Sequence, residues 1–439
     1  MTFQPGLKLE QAPPISVPFR FFLTAPLFLL AAAAVLLWRG PEVFESRMTP
    51  AALAVAHLYT LGFMTMVMTG AMMQMLPVLA GAPIPRPEAV GSVTHAALTL
   101  GTIALAGGFL FGQPLLLKAA AVLLATGFAV FIAAVVWALS RISVTHNTVR
   151  AVWLAIAGLL VTVSMGLVLV ISLGWGITLI DSSLRTLHPG WGLLGWVGLL
   201  AVGVAYQVVP MFQITPGYPE PMARYFAGAV FALLALWSLL LWGEGNGWGS
   251  AATPVAVLLI AGYFLFAGMT LSLQQQRRRR LPDVTLNFWR IGMGSLIAGG
   301  ILWIARATPG ADPPDSTELL IGVIALQGFA ASIITGMLYK ITPFLVWFHL
   351  QAMTGAGRMA PNMKKILADG PQRVQLRLHV AALGFCLAAV AWPERLPYAA
   401  ALVLGIAAVM LLRNLLLVVR AYRDNLSLGA AEVPATARH

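Results

Sequence analysis

The stretch HLYTLGFMTMVMTGAMMQMLP, His57 to Pro77, decides how this chain is read. Its skeleton is Gly62-Phe63, Gly70, Gln74 and Pro77, and it returns as Gly195-Trp196, Gly203, Gln207 and Pro210. A third copy has Gly328-Phe329, Gly336, Lys340 and Pro343, each copy lying 133 residues after the last. One such coincidence is easily met in a chain with 42 glycines, but two at a single period mark an internal repeat. Pro83 and Pro216, in the Pro-rich connections that follow the first two copies, keep the same spacing and carry the repeat into the helix exits. The expected organisation is one membrane domain over 1–439, with repeated blocks at about 18–140, 149–273 and 287–420.

The chain is 59% hydrophobic and 10% charged, and apolar runs of membrane-spanning length follow one another along it. In hydrocarbon each backbone amide needs a partner within its own segment, so these runs are helices. Twelve are expected, at about 18–38, 51–79, 90–111, 115–139, 149–177, 189–213, 223–242, 252–273, 287–306, 318–349, 376–392 and 397–420. The fold class is therefore an all-α polytopic membrane protein with twelve transmembrane helices in three four-helix arcs. Repeats that each cross four times share one orientation, so their axis lies along the membrane normal.

Most of the 27 Lys and Arg, including Arg277 to Arg280, Lys364, Lys365, Arg373 and Arg377, fall on one side of this topology. The positive-inside rule puts that side, and both termini, in the cytoplasm. The net charge of +12 is then met by topology and anionic headgroups, and a nucleic-acid partner is not expected. Cys386 is the only cysteine, which excludes an intramolecular disulfide and an iron–sulfur site. The polar leader lacks a small-residue cleavage site, so the first helix is expected to be retained. The loop at about 350–375 is the long one, and the tail from about 424 reads as frayed.

Seven histidines are separated by depth. His57 enters the second span several residues from the outer surface, on the order of 10 Å deep. His188 stands at the outer mouth of the sixth, just before Pro189. His95 and His349 belong to the inner side, and His146, His379 and His439 to cytoplasmic loops or the tail. An ionisable residue inside a membrane is costly unless paired or ligated, which makes His57 a candidate ligand; a neutral histidine bonded to a neighbouring helix is the plainer account. His188 reads either as a ligand or as a wet interfacial residue. Met64 and Met68 follow His57 at helical spacing and are candidate Cu(I) or haem ligands, or packing residues. The repeated glycines read as close helix packing.

No Asp or Glu lies near the middle of any expected span; Asp181, Glu220, Glu244, Asp283, Asp312, Asp315 and Glu318 sit in loops or at ends. A proton pump would ordinarily need one there. Zinc spacings, phosphate loops and hydrolase elbows are absent from the sequence.

Twelve helices in three arcs with histidines near the outer side resemble the catalytic subunit of the heme-copper oxidases. His188-Pro189 resembles the His-Pro that opens that family's sixth helix, Leu194-Gly195-Trp196 resembles a family triplet, and His57 matches its low-spin haem ligand by position. The departures bear on activity. No histidine occurs at about 223–242, the two histidines of the tenth helix fall on Ile321 and Val323, and Gly190 and Gly192 follow His188-Pro189 where the family has Glu and Tyr. The resemblance therefore implies no binuclear oxygen-reducing centre and no proton pumping. Pro18-Phe19-Arg20 and the His57 to Pro77 stretch resemble the NnrS-type haem membrane proteins, associated with nitric-oxide stress. That resemblance implies haem b and copper; the reading built on it has His57 as the haem ligand, His188 as a second ligand or a copper or propionate partner, and Arg185 as a propionate partner or an interfacial cap. A diatomic gas such as nitric oxide is the expected ligand, a redox or oxidase-assembly partner is possible, and the location implied is a bacterial inner membrane. A cofactor-free assembly or transport protein on the same scaffold is the alternative.

Overall fold

In the computed structural model, residues 13–142, 146–177, 182–243, 249–278, 283–308, 310–311, 314–353 and 361–431 are described. Asp181, Glu244, Arg279, Arg280, Asp312 and His439 lie outside them. Twelve helices are long and apolar enough to cross a membrane. The first four are α1 Ser16–Phe44, α2 Pro50–Val78, α3 Pro87–Phe111 and α4 Pro114–Leu139. Next come α5 Asn147–Trp175, α6 Ser182–Gln213, α7 Glu220–Trp242 and α8 Gly249–Gln275. The last four are α9 Val284–Ala307, α10 Ser316–Met353, α11 Asp369–Ala391 and α12 Pro397–Leu426. The upper end of the bundle is the one where α1 finishes and α2 begins.

Successive helices pack on each other, α4 packs on α5 and α8 on α9, and α12 returns to α1, closing a ring. Inside it stand α2, α6 and α10. Their apolar windows are 67%, 61% and 61% buried, against 22–56% for the others, which identifies them as the inner helices.

Each inner helix changes its winding at one level. π-helical stretches run over Leu58–Thr65, Trp191–Gly198 and Ile324–Ala330, so their first residues are spaced by the 133-residue sequence period. Each stretch contains the repeated Gly-aromatic pair, and the three glycines lie against α1, α5 and α9. A Cβ on Gly62 would strike Phe28 of α1, and one on Gly328 would meet Ser295 Oγ of α9 at 2.6 Å. In the middle block the close approach is from the other side, where a Cβ on Gly158 of α5 would lie 2.5 Å from the carbonyl oxygen of Gly195. Two turns lower, Cβ atoms on Gly70, Gly203 and Gly336 would each fall 2.7 Å from a Cβ, of Phe21, Ala151 and Phe288. Without a hydrophobic driving force between helices in lipid, this backbone proximity supplies the dispersion contacts that hold them together. The exits agree too: Gly81 (φ 64°) ends the helix after Pro77, and Ile214 (φ 56°), 133 residues on, takes the same left-handed turn despite its β-branch.

Four expectations change. α6 begins at Ser182, so His188 lies inside the helix and not at its mouth. The polar run before His188 contains no apolar stretch to announce a helix, yet Leu184 and Leu187 are buried and anchor it. α11 begins at Asp369, which places His379 inside the membrane-length helix, 4% exposed, and not beside a loop. α10 runs on to Met353, and with α11 starting early the connection between them is shorter than expected. The helix that forms α12 continues to Ala431 through residues expected to fray.

Candidate functional site

The upper half of α2 is started by Thr49, whose hydroxyl accepts from the Ala52 N–H at 3.2 Å, with Pro50 in the first turn where its missing N–H costs nothing. His57 is the last residue before the π stretch. Its Nδ1 donates to the Leu53 carbonyl at 2.8 Å. His188 of α6 donates from Nδ1 to the Thr162 carbonyl of α5 at 3.1 Å. Carbonyls only accept, so both rings carry the proton on Nδ1 and turn a free lone pair out on Nε2. This is the tautomer and backbone orientation typical of metal-bound imidazoles.

The two rings face each other across the bundle. Their centres are 6.2 Å apart and their planes 15° from parallel. Phe109 of α3 lies 5.4 Å from His57, and a Cβ at Gly166 of α5 would fall 2.9 Å from His188 Cε1, so a glycine niche seats that ring. Both histidines remain partly accessible although they sit between helices. The first turns of α10, Ser316–Val323, bury no residue, and nothing lies within 4 Å of a Cβ placed on Gly322.

Among the described residues no group of three or more His, Cys, Asp or Glu side chains is placed to hold a metal. A closed structural zinc site needs four protein ligands.

Met64 and Met68 are buried, at 0% and 6% exposure, on the same helix. From His57 the chain enters the π stretch, which contains Met64 and ends before Met68, and whose i→i+5 bonding draws more residues into each turn. The 3.6-residue spacing therefore does not carry from His57 to either methionine. Arg185 is exposed one turn before His188. Pro189 has no N–H to give the Arg185 carbonyl, and Arg47 Nη1 takes that carbonyl instead at 3.4 Å. Arg47 also pairs with Glu318 at 2.5 Å, and Arg306 meets the same carboxylate. The upper rim thus ties the α1–α2 turn to α6, α9 and α10, while the Arg185 guanidinium has no ion-pair partner among the described residues.

One polar cluster has no place in the sequence reading. Tyr59 donates to Gln327 Oε1 at 2.8 Å, Gln327 Nε2 donates to His379 Nδ1 at 3.3 Å, and His379 Nε2 donates to Ser332 Oγ at 2.8 Å. The Ser332 hydroxyl closes the chain on the Gln327 carbonyl at 3.3 Å. Every member is buried, and the cluster joins α2, α10 and α11 through two of the π stretches. A signal existed: the residue before the repeated glycine is Leu61, Leu194 and then Gln327. Gln327→Leu leaves the Tyr59 hydroxyl and His379 Nδ1 buried without partners, a cost of about 1–3 kcal/mol. Interhelical hydrogen bonds in bilayers are worth less, about 0.6 kcal/mol on average, so stranding of the partners dominates. Unfolding in mixed micelles is expected to show that loss, and an unshifted midpoint would mean the cluster is not formed.

No protein-family model matches the chain, and the search of curated proteins found no match. Among solved structures it is similar to a heme-copper terminal oxidase, at a TM-score of 0.57 and 13% identity, over 96% of this chain and 85% of that one. At that identity the likeness concerns fold alone. The chain is a multi-pass helical membrane protein with the fold of the heme-copper oxidases.

Proposed function

We propose that this protein holds haem b between His57 and His188 and serves in diatomic-gas binding, nitric oxide foremost, or in a redox or stress role, without reducing oxygen or pumping protons. The observation that carries the reading is the pair of near-parallel imidazoles 6.2 Å apart, each with Nδ1 tied to a carbonyl. Such a haem would supply one-electron chemistry, and with both histidines bound a diatomic gas would bind by displacing one of them. The Leu53 and Thr162 carbonyls fix both ring orientations, and Gly166 leaves room for the His188 ring. Arg185, unpaired on the rim above, is suited to a propionate. Copper at Met64 and Met68 is the less supported part, since the π stretch interrupts their helical spacing from His57. The absence of histidines at Ile321 and Val323 supports the lack of a second metal centre of oxidase type. The same reading takes the chain as three repeats in a bacterial inner membrane with both termini cytoplasmic.

Purified protein is expected to show a Soret band that shifts on reduction, with iron and not copper by metal analysis. A folded, colourless preparation defeats the reading. His188→Ala is expected to keep the band but expose one axial position, so that carbon monoxide produces a difference spectrum absent or several-fold weaker in the parent. A variant with the parental spectrum and no carbon monoxide response would remove His188 from the site.

The rival reading is a cofactor-free assembly or transport protein on the oxidase scaffold. It draws support from the Tyr59–Gln327–His379–Ser332 chain, which joins α2 to α10 and α11 with protein groups alone.

A further inference from the structure

At the lower end of the bundle, remote from the histidine pair, a cavity of about 410 Å³ is lined by His146, Asn147, Arg150, Glu220 and Arg224. Both α5 and α7 begin at its wall. Neither start has a side-chain cap, the residues before them being His146 and Pro219, so the first-turn N–H groups of α5, and those of α7 apart from Pro221, are left without a capping side chain at this wall. Arg150 and Arg224 form no ion pair with Glu220 among the described residues, although all three line the cavity. The Arg224 guanidinium lies 5.3 Å from the Tyr225 ring centre. Two guanidiniums, one carboxylate and two helix N-termini thus share one water-facing basin without neutralising each other by direct contact.

His146 is also the link to a second cavity, of about 60 Å³, that runs in among the helices. This one is apolar: Met72 and Met75 of α2, Val152 of α5 and Leu200 of α6 line it, with Gln207 as a polar member. A charged basin and an apolar slot on either side of His146, at the level where spanning helices begin, match the boundary between headgroups and hydrocarbon.

We infer that this basin binds one phospholipid whose head carries both a phosphate and an ammonium group, as phosphatidylethanolamine does. The phosphate is taken by Arg150, Arg224 and the free N–H groups of α5 and α7, since anions favour helix N-termini and guanidiniums bind phosphate in fork geometry. Glu220 selects the head: it pairs with an ammonium but stands unneutralised, and repelling, beside a head that is only anionic. The slot between α2, α5 and α6 takes the first methylenes of an acyl chain. A free phosphate ion would leave the slot unused. The lipid so placed wedges the first and second helix groups together at their lower ends.

The test uses the full-length chain in detergent, given equal amounts of phosphatidylethanolamine and phosphatidylglycerol, with bound lipid read by native mass spectrometry. The phosphatidylethanolamine adduct is expected to exceed the phosphatidylglycerol adduct. Arg150→Gln with Arg224→Gln should lower it about tenfold or more, as two charge-assisted hydrogen bonds are lost. Glu220→Gln should bring phosphatidylglycerol up to parity while total binding persists. Three outcomes overturn the proposal: no lipid adduct, equal adducts on the unaltered chain, or an adduct that millimolar inorganic phosphate removes. Preference on the unaltered chain is read without any variant, and thermal melts of the variants separate lost binding from lost fold.

Discussion

His57→Ala is expected to purify folded but colourless, or with haem retention lowered about a hundredfold or more. Replacing a residue that only orients a metal ligand already costs about 10–100-fold in affinity, and His57 is itself the proposed ligand. The fold should survive, because the ring is partly accessible and its one hydrogen bond is to a carbonyl of its own helix. Its removal strands no buried donor on a neighbour. His57→Gly with added imidazole is expected to restore the Soret band, since the Gly variant leaves the space of the ring and the Nε2 lone pair is supplied from solution. A variant that keeps the parental band would place the iron elsewhere. A parent that is itself colourless would leave the rival scaffold reading in its place.

The spans were readable because hydrocarbon demands long apolar helices, and both the run lengths and the 133-residue period survive in the structure as twelve helices and three aligned π stretches. The polar start of α6 was not readable. Ser182 to His188 carries too few apolar residues for a span, and its helix is held by Leu184 and Leu187 together with Arg47, which replaces the hydrogen bond that Pro189 cannot give. His379 escaped for the same reason: Arg373 and Arg377 precede it and read as a loop, whereas its own nitrogens are satisfied by Gln327 and Ser332 from another helix. Partners distant in sequence are what make a buried histidine tolerable, and a single sequence does not reveal them. The site was legible in part. His57 and His188 were singled out separately by depth and by resemblance; that they face each other at 6.2 Å depends on the crossing of α2 and α6 near α5, which no local pattern encodes. The methionine spacing failed where the helix left its α winding.

Gly158→Val is expected to be the most damaging single change to the fold. At most of the repeated glycines an added side chain meets another side chain, and overpacking of that kind typically costs about 1–3 kcal/mol because rotamers can shift. At Gly158 the obstacle is backbone: the carbonyl oxygen and carbon of Gly195 lie 2.5 and 2.6 Å from where its Cβ would stand. Neither helix has a rotamer to turn, so α5 and α6 must move apart along their length and forfeit the dispersion contacts that hold them in lipid. A loss of about 3 kcal/mol or more, at or beyond the upper end of ordinary overpacking, is expected as a fall in folded yield and in the midpoint of unfolding. Gly322→Ala is the control. Nothing lies within 4 Å of its Cβ, and the gain in helix propensity, up to about 1 kcal/mol, should leave it neutral or slightly more stable. The Gly158 variant also tests how fold and site are joined. Thr162, whose carbonyl holds His188, and Gly166, which seats its ring, come one and two turns later on α5. If α5 and α6 separate, the 3.1 Å bond from His188 is lost with them, so any protein that still folds should hold haem less tightly. Intact folding with an unchanged spectrum would mean that α5 and α6 do not approach each other through these two glycines.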